Sequence, residues 1–205
     1  MKQLAYALLL TGVAACNGPA SAPETAAPPQ ASPPPAASTK PDTSSAPAQT
    51  VRRFIKWYAR NGESLPGNFV LNDDGLDSTK FYTVNFPGTE EWLTAVQQSG
   101  TVSAAYLNGW RAYFRSYADT LRLHPQNDGP PAGFDYDLLM LSQEPDTKVA
   151  ELQVGTCTVV QQQPGHAKVQ ARGPRHENWQ EGLNFELSQG QDGRWLIDRI
   201  DNDSM

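Results

Sequence analysis

Between Asn17 and Ala48 the chain carries no Val, Ile, Leu, Met, Phe, Tyr or Trp. The stretch is mostly Pro, Ala and Ser, in phrases such as Ala26–Ala27–Pro28–Pro29, Ser32–Pro33–Pro34–Pro35 and Ser44–Ser45–Ala46–Pro47. It has no large side chain to bury, so nothing offsets the entropy of ordering it. Residues 16–48 are therefore expected to be a tether. At ~3.1 Å per residue in polyproline II geometry, it would reach up to ~100 Å. Any fold must come from residues 49–205, which hold all five Trp residues. About 150 residues suffice for one domain with its own core.

The segment before the tether sets an address. Lys2 supplies a positive start, Leu4 to Val13 is a short apolar run, and Ala14 and Ala15 precede Cys16. A membrane span would need ~20 apolar residues, so residues 1–15 read as a secretory signal peptide. Val13–Ala14–Ala15–Cys16 resembles a bacterial lipobox. The resemblance implies cleavage before Cys16 and lipid on Cys16, which would hold the chain on a membrane. Several acyl chains anchor stably, because each buried methylene contributes ~0.8 kcal/mol and one chain alone is marginal. The alternative is an ordinary signal cut near Ala20–Ser21–Ala22, with Cys16 discarded. Asn17 stands where an Asp is the usual inner-membrane retention signal. The expected location is therefore the outer membrane, facing the periplasm.

Lys2 and Lys40 cancel Glu24 and Asp42, so the net charge of −6 belongs to the remainder. A mildly acidic domain argues against nucleic acid, which needs a basic face, and against direct adhesion to anionic lipid.

Within 49–205 the period changes along the chain. Thr50 is placed to cap a helix whose apolar face is Val51, Phe54, Ile55 and Tyr58, with Asn61–Gly62 as its stop. Residues 62–80 read as loop. Asn72–Asp73–Asp74–Gly75–Leu76–Asp77 has the oxygen ligands of a calcium loop, but Val84 stands where the twelfth-position Glu belongs, so an acidic turn is expected. Thr89 is placed to cap a second helix carrying Trp92, Leu93 and Val96. Ser103 is placed to cap a third, whose face is Tyr106, Trp110, Tyr113, Phe114, Tyr117 and Leu121. After a Gly/Pro loop at 126–134, Lys148 to about Gln162 reads as one long strand bulged at Gly155. Pro164–Gly165 turns it into the alternating strand 166–172. Leu183, Phe185 and Leu187 mark the next strand, Asp192–Gly193 a hairpin turn, and residues 194–200 the last strand. Helices followed by consecutive hairpins give an α+β order, with the helices packed on a curved antiparallel sheet.

Three phrases carry a resemblance: Phe54–Ile55–Lys56–Trp57–Tyr58, the run from Phe134 to Asp146, and Trp195–Leu196–Ile197–Asp198–Arg199–Ile200. Residues 50–201 resemble a bacterial family of small secreted proteins and lipoproteins of unknown function, related to the nuclear-transport-factor-2-like and cystatin-like folds. In that family the middle phrase tends to end in Gln–Asp; Gln143–Glu144 stands there in this chain. The resemblance implies a cone-shaped domain with a pocket under the sheet. It implies no single activity, because this fold carries enzymes, binders and interaction modules.

Few residues point to chemistry. His124, His166 and His176 are scattered, with no spacing for a metal. Cys157 is expected to be buried and inert. Gly-x-Ser-x-Gly is absent, and no cofactor motif stands out. Asp135 and Asp137 flank Tyr136, and paired carboxylates beside a tyrosine suit proton transfer of an isomerase kind; capping the apolar turn after them is the simpler role. Trp110, Tyr113 and Tyr117 are core residues first and pocket lining second. Trp179, in a polar loop, is a candidate contact anchor. The leading expectation is a lipid-anchored, non-catalytic accessory module of an envelope protein complex. The alternatives are a small-ligand binder and, behind it, an isomerase- or hydrolase-type enzyme.

Overall fold

The computed structural model describes residues 44–72 and 79–205. The segment expected to be a signal peptide, Cys16 and most of the expected tether lie outside the described residues, as do all but Asn72 of the expected acidic turn, Asn72–Asp77. The described residues all fall in the second of the chain's two units, Thr39–Met205. This unit is a mixed α+β domain: α1 (Ala46–Asn61), a 3-10 turn (Gly62–Ser64), β1 (Val70–Leu71), β2 (Thr83–Val84), α2 (Phe86–Gln97), α3 (Ala104–Leu123), α4 (Pro145–Val154), then β3 (Thr156–Gln163), β4 (His166–Arg172), β5 (Gly182–Gln189) and β6 (Trp195–Asn202). The last four form one antiparallel sheet in the order β3-β4-β5-β6, and β1 and β2 form a separate two-stranded ladder.

Four local expectations are corrected. The first helix starts at Ala46, ahead of the expected domain start at residue 49, with Ser45 as its N-cap. Pro47, in the first turn, is pre-set for helical φ and lacks the amide that a helix start leaves unpaired. Thr50 is therefore inside the helix and buried, its hydroxyl donating to the carbonyls of Ala46 (3.2 Å) and Trp195 (3.3 Å). The second helix likewise begins at Phe86–Pro87, and its cap is Asn85, whose side chain accepts from the Gly88 amide at 3.2 Å. Thr89 lies within it, donating to the Phe86 carbonyl at 2.8 Å. Ser103 caps α3 as expected, accepting from the Tyr106 amide at 3.2 Å.

The largest correction concerns 148–154, which are the body of α4 and not the start of a strand. Pro145 and Asp146 open the helix, and Lys148, Val149 and Leu152 turn inward. A run this short satisfies either period on its apolar positions, and the packing of α4 against α1 decides for helix. Gly155 then ends α4 where the backbone passes close to β4. A Cβ at Gly155 would run into the Arg172 carbonyl. Gly155→Ala is accordingly expected to cost about 1–3 kcal/mol, the usual scale of overpacking. A urea melt checks this: a midpoint equal to that of the parent chain would show the backbone can yield there.

The sheet buries Ala167, Val169 and Ala171 of β4, Leu183, Phe185 and Leu187 of β5, and Trp195 and Ile197 of β6. Against it lies the predicted face of α1, Val51, Phe54, Ile55 and Tyr58, all buried. Phe54 meets Phe185 edge-on at 6.0 Å. The β5–β6 hairpin turns at Asp192–Gly193, where Gly193 has φ 78°. The pairing of β6 with β5 shifts between Ile197 and Arg199, leaving Asp198 as the extra residue of a bulge. A second aromatic layer joins α2, α3 and the loops: Phe69 and Phe114 stack on Phe134, and Trp92 meets Phe69 edge-on at 5.5 Å.

Candidate functional site

The helical period of α3 aims Tyr106, Gly109, Trp110 and Tyr113 at one side. Opposite them run Asp198, Arg199 and Ile200 of β6, past the bulge. Between the two lies a mostly apolar groove of about 310 Å³, at the lower end of the range of ligand sites.

The walls of this groove are held from behind. Trp110 is edge-on to Trp92 at 5.5 Å and to Tyr113 at 5.1 Å. Tyr113 donates its hydroxyl to the Gly133 carbonyl at 2.6 Å and sits 3.3 Å from the Tyr136 hydroxyl. Burial, and then the Tyr136 hydroxyl, push the Tyr113 phenol far above its ordinary value, so it stays a neutral donor. Tyr106 is only 5% exposed, and its hydroxyl meets no group in hydrogen-bonding geometry. Burial raises this phenol too, against a smaller opposing pull from the Trp110 indole. An unmade hydrogen bond on a buried hydroxyl costs about 1–3 kcal/mol.

Gly109 is the unexpected member. It lies mid-helix and exposed, and a Cβ placed there would touch nothing within 4 Å. Neither backbone conformation nor close packing asks for glycine. A mid-helix glycine costs about 0.5–1 kcal/mol relative to alanine. What the missing side chain does provide is an unobstructed groove.

Of the residues singled out from sequence, Trp110 and Tyr113 line the groove. Tyr117 does not: it packs on Tyr113 at 4.5 Å and on Phe134 at 5.6 Å. Asp135 is exposed. The carboxylate of Asp137 accepts from the Tyr58 hydroxyl (2.8 Å) and from the amides of Leu139 (2.9 Å) and Met140 (2.6 Å). Burial first, then the Asp137 charge, hold the Tyr58 phenol far above its usual value. Asp137 thus caps the turn that carries Leu138, Leu139 and Met140 into the core. Trp179 is 42% exposed, with one face covered by His176 at 4.0 Å; the His176 ring is in turn 3.1 Å from the Glu151 carboxylate. Cys157 is buried, and burial pushes its thiol up to about 11. Among the described residues no three His, Cys, Asp or Glu side chains converge as metal ligands.

Sequence reasoning missed Gly109, Tyr106, Asp198, Arg199 and Ile200 as groove residues. A lone glycine inside a strong helical pattern was the signal available for the first. For the β6 residues no local signal existed, since the bulge and the approach of α3 are tertiary. Lys148 was missed as well. It is 1% exposed and donates to Asn202 Oδ1 at 2.6 Å and Ser204 Oγ at 3.1 Å, with Glu181 Oε2 at 3.4 Å. No family model, curated protein or solved structure matches the chain.

Proposed function

We propose that this chain is a non-catalytic binding module, held on the bacterial envelope by lipid on Cys16, and that the α3–β6 groove is where it meets an envelope protein. The carrying observation is Gly109: a residue that weakens its own helix and keeps an apolar groove open is placed for binding and not for stability. The long Pro-rich tether gives such a module reach, and Asn17 favours the outer membrane, facing the periplasm. The helices, followed by an antiparallel meander, support the cone-shaped, nuclear-transport-factor-2-like fold suggested by the resemblance. Neither Asp135 nor Asp137 lines the groove. Asp198, the one carboxylate that does, accepts from Ser188 at 3.1 Å. This arrangement favours binding over proton transfer.

The volume and apolar walls of the groove favour a second reading, a small apolar ligand seated between Trp110 and Ile200. One experiment separates the two. A photocrosslinking residue at Ala112, exposed one turn beyond Gly109, is expected to capture one envelope protein in cells, and the same residue at Trp179 is not. Equal capture at both positions, or none at Ala112, would remove the protein-binding reading. Gly109→Ala is expected to raise stability by about 0.5–1 kcal/mol. Gly109→Leu, which fills the groove, is expected to abolish the Ala112 adduct while the domain remains folded by thermal melt.

A further inference from the structure

The groove borders a sheet edge, and the hydrogen bonds on that edge say more about what fits. Along β5 the backbone groups alternate between its two neighbours. The Gln189 amide turns away from β6 to the Gly165 carbonyl, whereas the Gly182 carbonyl accepts from Asp203 on the β6 side. Phe185 and Leu187, in phase with Gln189, therefore turn toward β4. Their partners on β6, Ile200 and Ile197, must point their own amides and carbonyls outward from the sheet. At Ile197 this is visible: its amide donates to the Thr101 carbonyl at 2.8 Å, and its carbonyl accepts from the Ser103 amide at 2.9 Å. The segment 101–103 pairs in parallel at that one point, Val102 opposite Ile197, and then turns into α3. Among the described residues no strand pairs with Ile200 on the side away from β5.

We infer that the groove takes an extended polypeptide segment that adds as a strand to the β6 edge at Ile200; this rests on the binding-module reading above. The added strand takes the next outward-facing position of the edge, beyond the point that residues 101–103 hold at Ile197. Its residue opposite Ile200 faces the groove, against Trp110 and Tyr113, and must be apolar. Its flanking residues lie on the other face, opposite Arg199 and Asp201, whose side chains pair with each other at 2.8 Å. In antiparallel register, charge complementarity calls for a basic residue opposite Asp201, then the apolar residue, then an acidic residue opposite Arg199. A second copy of this chain does not fit. Antiparallel pairing of two β6 strands about Ile200 would bring the other copy's segment around Asp203 onto Ile197, a place Val102 already holds.

The probe is the blocked pentapeptide Thr-Val-Lys-Val-Glu, which ends opposite Arg199 and so stops short of Ile197; it is titrated to about 1 mM, a concentration that detects even weak binding, against the folded full-length chain. Hydrogen exchange at the Ile200 amide is expected to slow, and the charge-swapped peptide Thr-Val-Glu-Val-Lys is expected to bind several-fold more weakly. N-methylation of the valine between the two charged residues is expected to weaken binding about tenfold or more, because it leaves a backbone carbonyl unpaired. Ile200→Pro removes only an outward amide, so it should keep the pairing with β5 and lose the peptide. Ile200→Val should keep both. Should Ile200→Pro fail to fold, the exchange and N-methyl results on the parent chain decide alone. No slowing at Ile200, or equal binding of both peptides and of the N-methyl form, would overturn the strand-addition inference. It would leave the broader reading intact as long as the Ala112 adduct forms, and loss of that adduct would remove the broader reading itself.

Discussion

Lys148→Ala is expected to cost about 3–5 kcal/mol, because removing one partner of a buried charge network strands the others. The Lys148 ammonium joins α4 to Asn202, Ser204 and Glu181. Glu181 is itself 20% exposed, which places the cost at the lower end of that range. Lys148→Met, which keeps the volume and removes the charge, is expected to cost clearly less. Chemical denaturation of the three chains at neutral pH makes the comparison, and equal loss for Met and Ala would show that the charge is immaterial. The pH dependence carries its own sign. Burial lowers the Lys148 pKa from 10.5, with Glu181 opposing. The native state then releases this proton before the unfolded chain does. The stability of the parent chain relative to Lys148→Met should be flat at neutral pH and rise as pH climbs toward 10.5. A fall over that window would mean that Glu181 outweighs burial.

Cys16→Ala is expected to move the protein almost wholly from the membrane fraction to the soluble fraction. No helix among the described residues is long and apolar enough to cross a membrane, so lipid on Cys16 is the proposed anchor. Attachment through several acyl chains is stable where one chain is marginal. Cell fractionation with incorporation of a labelled fatty acid reads both parts. A parent chain without label would favour the ordinary signal cut near Ala20–Ser21–Ala22, and label retained by Cys16→Ala would place the lipid on another residue. A soluble Cys16→Ala chain should still bind the strand probe, because the groove lies wholly within the second unit of the chain.

The elements most legible in sequence were those whose period is strong and whose burial is one-sided. The α1 face, the long aromatic face of α3 and the alternation of β4 and β5 all pack as their spacing predicts. The misplaced features were boundaries and short runs. Pro47 and Pro87 start helices earlier than the Thr residues suggested, because a first-turn proline outweighs a nearby hydroxyl as a start signal. The run 148–154 carries too few apolar positions to distinguish the two periods. Its contact with α1 and the backbone approach at Gly155 choose helix.

The site divides in the same way. Trp110 and Tyr113 were nameable from sequence, because large aromatics on one helix face must meet something. Asp137 could be named, and so could its simpler role as cap of the turn at Leu138–Met140; its tyrosine partner could not, since that is Tyr58, distant in the chain, and not its neighbour Tyr136. By itself the sequence determined that the Pro/Ala/Ser-rich stretch brings no large apolar side chain to a core, that the long helices precede the hairpins of the main sheet, and which face of α1, α3, β4 and β5 turns inward. These follow from composition and period, which are local. Only the tertiary structure decided that Gly109 opens onto β6, that the bulge at Asp198 sets Ile200 with its amide outward, and that Lys148 is buried among oxygens. Each of those depends on which backbone passes beside which, and chain-distant packing leaves no trace in local spacing.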